Sequence, residues 1–335
     1  MQYGYFDDAA REYVITRPDP PSSWSNYLGS RKYGGVITHN AGGYAFYRSP
    51  ARGRFLRLLF NAIPMDQPGR YLYLRDDADG DYWSTAWQPV GKPLDAYTST
   101  CRFGTGYAVI DSRYRGIRSE TTYFVPLDAT YEYWKLRLTN EGDTPRRLSL
   151  YTYVEFASEW DFKQDQHNIQ YTAYTVKADM VDGIVRCASV DNVPPDPDDF
   201  SKGEQGRWCW LTLLGADVAD YDLDRLAFIG PYHDYANPVA VERGQCGKSF
   251  AYGDTACGAL RAPLELAPGE TREVLVMMGV GKAEVEGRQT VEAAGTVEHC
   301  DRALAELKTF WHERLDVLQC KTPDADFDHM VNVWN

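Results

Sequence analysis

The segment Trp160-Asp161-Phe162-Lys163-Gln164-Asp165-Gln166-His167-Asn168-Ile169-Gln170-Tyr171 is dense in amides and carries aromatics at both ends. An amide side chain donates and accepts hydrogen bonds in one plane, which suits vicinal hydroxyls. Gln166, His167, Asn168, Gln170 and Tyr171 are therefore candidate sugar-binding residues. The plain alternative is a polar edge strand or loop that binds nothing. A second stretch, Gly80-Asp81-Tyr82-Trp83-Ser84-Thr85-Ala86-Trp87-Gln88-Pro89, sets two Trp four residues apart. It could form a stacking platform, but buried aromatics are the commoner outcome.

Glycosidic chemistry needs a carboxyl group to protonate the leaving oxygen. Spacing alone selects none of the many carboxylates. Glu155 sits in a strand pattern, while Asp7-Asp8, Asp76-Asp77 and Asp198-Asp199 read as turn formers. No G-x-S-x-G, G-x-x-x-x-G-K-[ST] or H-E-x-x-H motif occurs. The six His are scattered, with His39 and His167 distinguished only by loop settings. Seven Cys, an odd number with no C-x-x-C and no His at ligand spacing, predict free thiols in a reducing cytoplasm and no metal site.

The elements that must position these residues read mostly as strands. Residues 131–140 alternate, with Trp134, Leu136 and Leu138 in phase. After the Glu141-Gly142-Asp143-Thr144-Pro145 turn, Leu148, Leu150, Thr152, Val154 and Phe156 share another phase. This pattern predicts a hairpin. Leu264-Glu265-Leu266 and Val274-Leu275-Val276-Met277-Met278 around Ala267-Pro268-Gly269-Glu270 predict a second one. A polar loop, rich in Pro and Asp, is expected from Asn192 to Gly206. Many strands without alternating helices predict a large antiparallel β-sandwich. The 24 Tyr, 9 Trp and 13 Phe fit such a fold, since flat rings pack well on pleated surfaces.

After Gly281 the period changes. Leu304, Leu307, Trp311, Leu315 and Leu318 fall three and four apart, predicting a helix over 297–319. Thr322 as N-cap and Pro323 at the first helical position predict another. Its apolar stripe of Phe327, Met330, Val331 and Trp334 is expected to face a catalytic partner continuing past Asn335. A net charge of −13 argues against nucleic acid and anionic lipid as partners. The start Met1-Gln2-Tyr3-Gly4-Tyr5-Phe6 has no signal-peptide character, and no apolar run is long enough to span a bilayer.

Taken in order, several motifs resemble the N-terminal half of cellobiose and chitobiose phosphorylases, glycoside hydrolase family 94 (formerly glycosyltransferase family 36). They include Tyr3-Gly4-Tyr5-Phe6-Asp7-Asp8, Arg11-Glu12-Tyr13-Val14-Ile15-Thr16 and Ala41-Gly42-Gly43-Tyr44-Ala45-Phe46-Tyr47. Gly69-Arg70-Tyr71-Leu72-Tyr73-Leu74, Val154-Glu155-Phe156 and Met330-Val331-Asn332-Val333-Trp334-Asn335 continue the series. The resemblance implies a galactose-mutarotase-like supersandwich over 1–285, a helical linker over 286–321 and the start of an (α/α)6 barrel over 322–335. It implies an inverting phosphorolysis of a β-linked disaccharide, with inorganic phosphate as co-substrate and no cofactor. The catalytic acid, an Asp, would lie beyond Asn335, leaving no catalytic residue here. A sandwich loop, matching Asp165 to Tyr171, would help build the acceptor-sugar site, with Tyr47 also facing sugar, in a cytoplasmic homodimer joined through the sandwich. Gln170-Tyr171 stands where cellobiose phosphorylases carry Gln-Arg. His39-Asn40-Ala41-Gly42-Gly43 and Ala236-Asn237-Pro238-Val239-Ala240-Val241-Glu242 lie closer to the chitobiose type. The rival readings are a stand-alone carbohydrate-binding sandwich and a mutarotase-like enzyme. The latter needs a His and a carboxylate on one sheet face.

Overall fold

The computed structural model describes residues 2–59, 66–189 and 207–334. Among them, three antiparallel sheets make the architecture. The largest has eleven strands, ordered Gly4–Asp7, Glu12–Ile15, Tyr97–Gly104, Tyr107–Tyr114, Ile117–Phe124, Tyr131–Asn140, Thr271–Val280, Trp208–Leu214, Ile184–Ala188, Lys177–Val181 and Ala251–Tyr252. Opposite it lies a five-stranded sheet, ordered Asp220–Asp224, Ala256–Leu266, Arg146–Tyr153, Tyr71–Asp76 and Tyr82–Ser84. A four-stranded sheet, Ser25–Gly29, Tyr33–Thr38, Gly43–Tyr47 and Arg54–Leu56, completes the set.

Alternation explains the layers, because successive side chains leave opposite faces of a strand. Leu72, Leu74, Leu148 and Leu150 of the five-stranded sheet meet Trp134, Leu136, Leu138, Val276 and Met278 of the large sheet in the main core. Their neighbours Tyr71, Tyr73, Tyr151 and Tyr153 point the other way, under Phe228, Ile229, Ala240 and Val241. Those four belong to helices α3 (Arg225–Ile229) and α4 (Val239–Arg243), which follow α1 (Phe162–His167) and α2 (Ile169–Thr172) in the chain. On the outer face of the large sheet, Phe124, Tyr133, Leu275 and Met277 pack beneath α5 (Arg288–Ala294) and α6 (Val297–Leu315). The β-sandwich fold and the covering helix are thus as the sequence predicts. No described helix is long and apolar enough to cross a membrane.

Both expected hairpins are corrected. Tyr131–Asn140 pairs with Ile117–Phe124 and Thr271–Val280, whereas Arg146–Tyr153 pairs with Tyr71–Asp76 and Ala256–Leu266. Each turn therefore carries the chain across the sandwich, from one sheet to the other. Buried Asn140 ties the two crossings together. Its Nδ2 donates to the carbonyls of Thr144, Leu266 and Ala267 at 2.8, 3.1 and 3.2 Å, and its Oδ1 accepts from Gly142 N at 3.1 Å. Asn140→Ala removes all four of these bonds at once, the one to Leu266 O in buried surroundings. It should cost about 3 kcal/mol, read as a lower urea midpoint at unchanged slope.

The helical predictions need smaller corrections. α6 starts at the cap Thr296, whose hydroxyl accepts from His299 N. It ends at Leu315, so Leu318 lies outside it and is exposed. The last helix, α7 (Ala325–Val333), is capped by Asp324 rather than Thr322, because the Asp324 carboxylate accepts from Asp326 N and Phe327 N. Trp334 packs partly buried against the main core, and the outward apolar side chains are Phe327 and Met330. Trp83 is buried and Trp87 packs partly buried against the same core, so the two Trp do not make one shared stacking platform. The expected loop Asn192–Gly206 lies outside the described residues.

Candidate functional site

The amide-rich segment folds as two short helices rather than a strand or loop. Asp161 caps α1 by accepting from Gln164 N at 3.1 Å. Asp165 turns inward and is buried. There Arg57 donates to both of its oxygens, Nε to Oδ2 at 2.9 Å and Nη2 to Oδ1 at 2.7 Å. Ser158 N also donates to Oδ1 at 2.9 Å, and Arg57 Nη2 reaches Ser158 Oγ at 2.9 Å. This planar, two-pronged pairing fixes orientation as well as charge.

A second buried carboxylate lies behind the first. Glu155 accepts from Tyr153 OH at 2.7 Å, Tyr235 OH at 2.8 Å and Arg225 Nε at 2.7 Å, with Arg57 Nη1 3.9 Å away. Glu159 pairs with Arg207 Nη1 at 2.6 Å. The Arg54 guanidinium lies between the rings of Tyr44 and Phe162, 4.0 and 4.4 Å from their centroids. Burial alone would lower the Arg57 pKa, but the adjoining Asp165 and Glu155 charges outweigh it and hold the guanidinium above its ordinary range. Burial likewise raises the Tyr235 phenol, helped by Glu155, so it stays a donor.

Above this base the candidate residues divide. His167, Gln170 and Tyr171 are exposed, Tyr171 at 70%. Gln166 and Asn168 are half-buried and hold the turn. Gln166 Nε2 donates to Leu58 O at 3.2 Å, and Asn168 Nδ2 to Gln164 Oε1 at 2.6 Å. Tyr47 is buried in the main core, so the structure does not bring its ring to the exposed rim. Sequence reasoning missed Tyr174, 75% exposed and three residues beyond Tyr171. It also missed the Arg57–Asp165 clamp, whose members are 108 positions apart.

The other candidates are accounted for. His39 is buried. Its Nδ1 accepts from Trp24 N at 3.3 Å and its Nε2 lies 3.1 Å from Pro18 O; burial depresses its pKa, keeping it neutral. His39 and Asp66 do line one cleft, but both ring nitrogens are engaged, which disfavours the mutarotase-like reading. Asp76 is buried and paired with Arg146 at 2.6 Å. Asp198-Asp199 lies outside the described residues. All seven Cys are free, and among the described residues no group of three or more potential ligands could hold a metal.

Known proteins resemble this chain over most of its length. The family model described as glycosyl hydrolase 94, supersandwich domain, matches residues 11–297. Relatives include N,N'-diacetylchitobiose phosphorylases of Vibrio proteolyticus and Vibrio furnissii, each 39% identical over 100% of this chain. A solabiose phosphorylase of Paenibacillus borealis is 28% identical over 99% of it. The chain spans 40% of the length of the first two relatives and 42% of the third. A match over most of the chain, with the sandwich layers observed, means that this protein belongs to the glycosyl hydrolase 94 family through its supersandwich domain.

Proposed function

We propose that this chain is the sandwich part of a phosphorylase that splits a β-linked disaccharide of the chitobiose type with inorganic phosphate. The observation that carries the site assignment is the outward set His167, Gln170 and Tyr171, displayed on a helical turn clamped from beneath by Arg57 and Asp165. The 39% identity to diacetylchitobiose phosphorylases supports the choice of sugar. On this reading residues 1–285 form the supersandwich, 286–321 a linker and 322–335 the start of the catalytic barrel. The protein would act in the cytoplasm as a homodimer joined through the sandwich.

Inverting phosphorolysis needs an acid for the leaving oxygen and a nucleophile on the opposite face of the donor ring. Phosphate is already anionic, so it needs little base help. The acid is assigned to the remainder of the protein. This chain's contribution is to receive the leaving sugar. Gln170 offers a donor and an acceptor, and Tyr171 offers a flat apolar face with a hydroxyl.

In the full-length gene product, Gln170→Ala and Tyr171→Ala should each raise KM for diacetylchitobiose about tenfold, the worth of roughly one net hydrogen bond or stacking contact. Because both side chains are exposed, unfolding midpoints should move by less than about 0.5 kcal/mol. An unchanged KM in both variants would remove this turn from the sugar site.

A further inference from the structure

A separate cleft of about 690 Å³ opens between the Pro18–Ser23 segment, the His39-Asn40 turn, Asp66 and the Trp87-Gln88 pair. Its size falls within the range of about 300–1,000 Å³ usual for small-molecule sites. Two of its polar side chains are only 6% exposed yet incompletely bonded. Asp66 Oδ2 accepts from Thr38 Oγ1 at 2.6 Å, while its Oδ1 carries no hydrogen bond among the described residues. Asn40 Nδ2 donates to Pro18 O at 3.1 Å, while its Oδ1 is buried with no partner. Buried polar atoms are normally satisfied, so the idle Asn40 oxygen needs an explanation.

The chemistry of the walls narrows the ligand. Both idle atoms accept, so the ligand must donate. None of the described lining residues is Lys or Arg, which disfavours a phosphate or carboxylate ligand. No metal-ligand cluster occurs among the described residues, which disfavours a divalent cation. Trp87 is half-buried, and its indole is held by a 2.7 Å bond from Nε1 to Lys92 O. Pro20, Pro21 and Trp87 supply apolar wall, and Gln88 supplies an amide. A flat ring, an amide and acceptors without protein donors together suit a neutral polyol ring with one apolar face.

We propose that this cleft is a second saccharide site, taking one pyranose against Trp87 with its hydroxyls donating to Asp66 and Asn40. It is distinct from the α1–α2 rim and does not depend on the phosphorylase reading. The test counts N-acetylglucosamine and glucose bound per chain of the full-length protein by equilibrium dialysis, with crystals soaked in each sugar. Gln88→Ala and Asp66→Asn are compared with the unaltered protein. The expected result is the loss of one bound sugar per chain in Gln88→Ala, at least tenfold weaker occupancy in Asp66→Asn, and density for a ring beside Trp87. Tyr171→Ala should leave that increment in place, so failure here and failure of the acceptor reading are told apart. If Asp66→Asn does not fold, Gln88→Ala alone decides. Equal stoichiometry in Gln88→Ala and the unaltered protein, or a cleft filled by another protein segment, overturns the proposal.

Discussion

Glu132→Gln should destabilise the protein by about 3–5 kcal/mol, the cost of leaving its buried partner charge uncompensated. Arg70 and Glu132 are both fully buried. Arg70 Nε donates to Oε1 at 2.6 Å and Nη2 to Oε2 at 3.0 Å. Tyr33 OH and Trp134 Nε1 complete the carboxylate at 2.9 and 2.6 Å. The rest of the guanidinium serves the four-stranded sheet, with Nη1 on Val36 O at 3.0 Å and Nη2 on Tyr44 O at 3.2 Å. Glu132 lies in the eleven-stranded sheet, and Arg70 immediately precedes the Tyr71–Asp76 strand of the five-stranded one. One ion pair thus joins all three sheets. A glutamine would turn an NH2 group toward existing donors and leave Arg70 an unpaired cation. Urea unfolding followed by tryptophan fluorescence reads the effect. Replacing both partners by apolar residues, Arg70→Met with Glu132→Leu, should recover much of the loss. No recovery would show that specific hydrogen bonds, not net charge, hold the junction.

Asp165→Ala should have a comparable cost, about 3–5 kcal/mol by the same argument, because it leaves Arg57 buried beside Glu155 alone. Its consequence differs, since Asp165 sits in the helix that carries the exposed rim. Losing the clamp frees α1 and α2 from the sandwich. On the proposed reading, KM for the disaccharide in the full-length gene product should rise more than in Tyr171→Ala. Limited proteolysis should cut within residues 160–175 in the variant while the unaltered protein resists. Asp165→Asn, which keeps the shape and some hydrogen bonds, should fall between the two. A proteolysis pattern identical to the unaltered protein would show that the turn is held by something other than this pair.

Residue periodicity reported which face each strand turns inward, and for 131–140 and 146–156 it did so correctly. It could not report the partner strand. A turn of a few residues serves a hairpin or a crossing between sheets equally well, and Asn140, which ties its own turn to the carbonyls of distant Leu266 and Ala267, carries no periodic signal. The helix over Val297–Leu315 was legible because its stripe repeats over several turns against one sheet face. The α1–α2 turn was not, since helices of six and four residues show no period. Their shape depends on Arg57, far off in the chain. The amide composition singled out this segment but could not separate outward His167, Gln170 and Tyr171 from Gln166 and Asn168, which brace the turn. Tyr47 entered through the family resemblance, and its burial follows from its phase with Gly43 and Ala45 on the buried face of its strand.

The most direct test incubates the full-length gene product with inorganic phosphate and, separately, diacetylchitobiose, cellobiose and laminaribiose, and measures sugar 1-phosphate. The account predicts phosphate-dependent release that is greatest with diacetylchitobiose, with inverted configuration at the anomeric carbon. No sugar 1-phosphate from any of the three would contradict it.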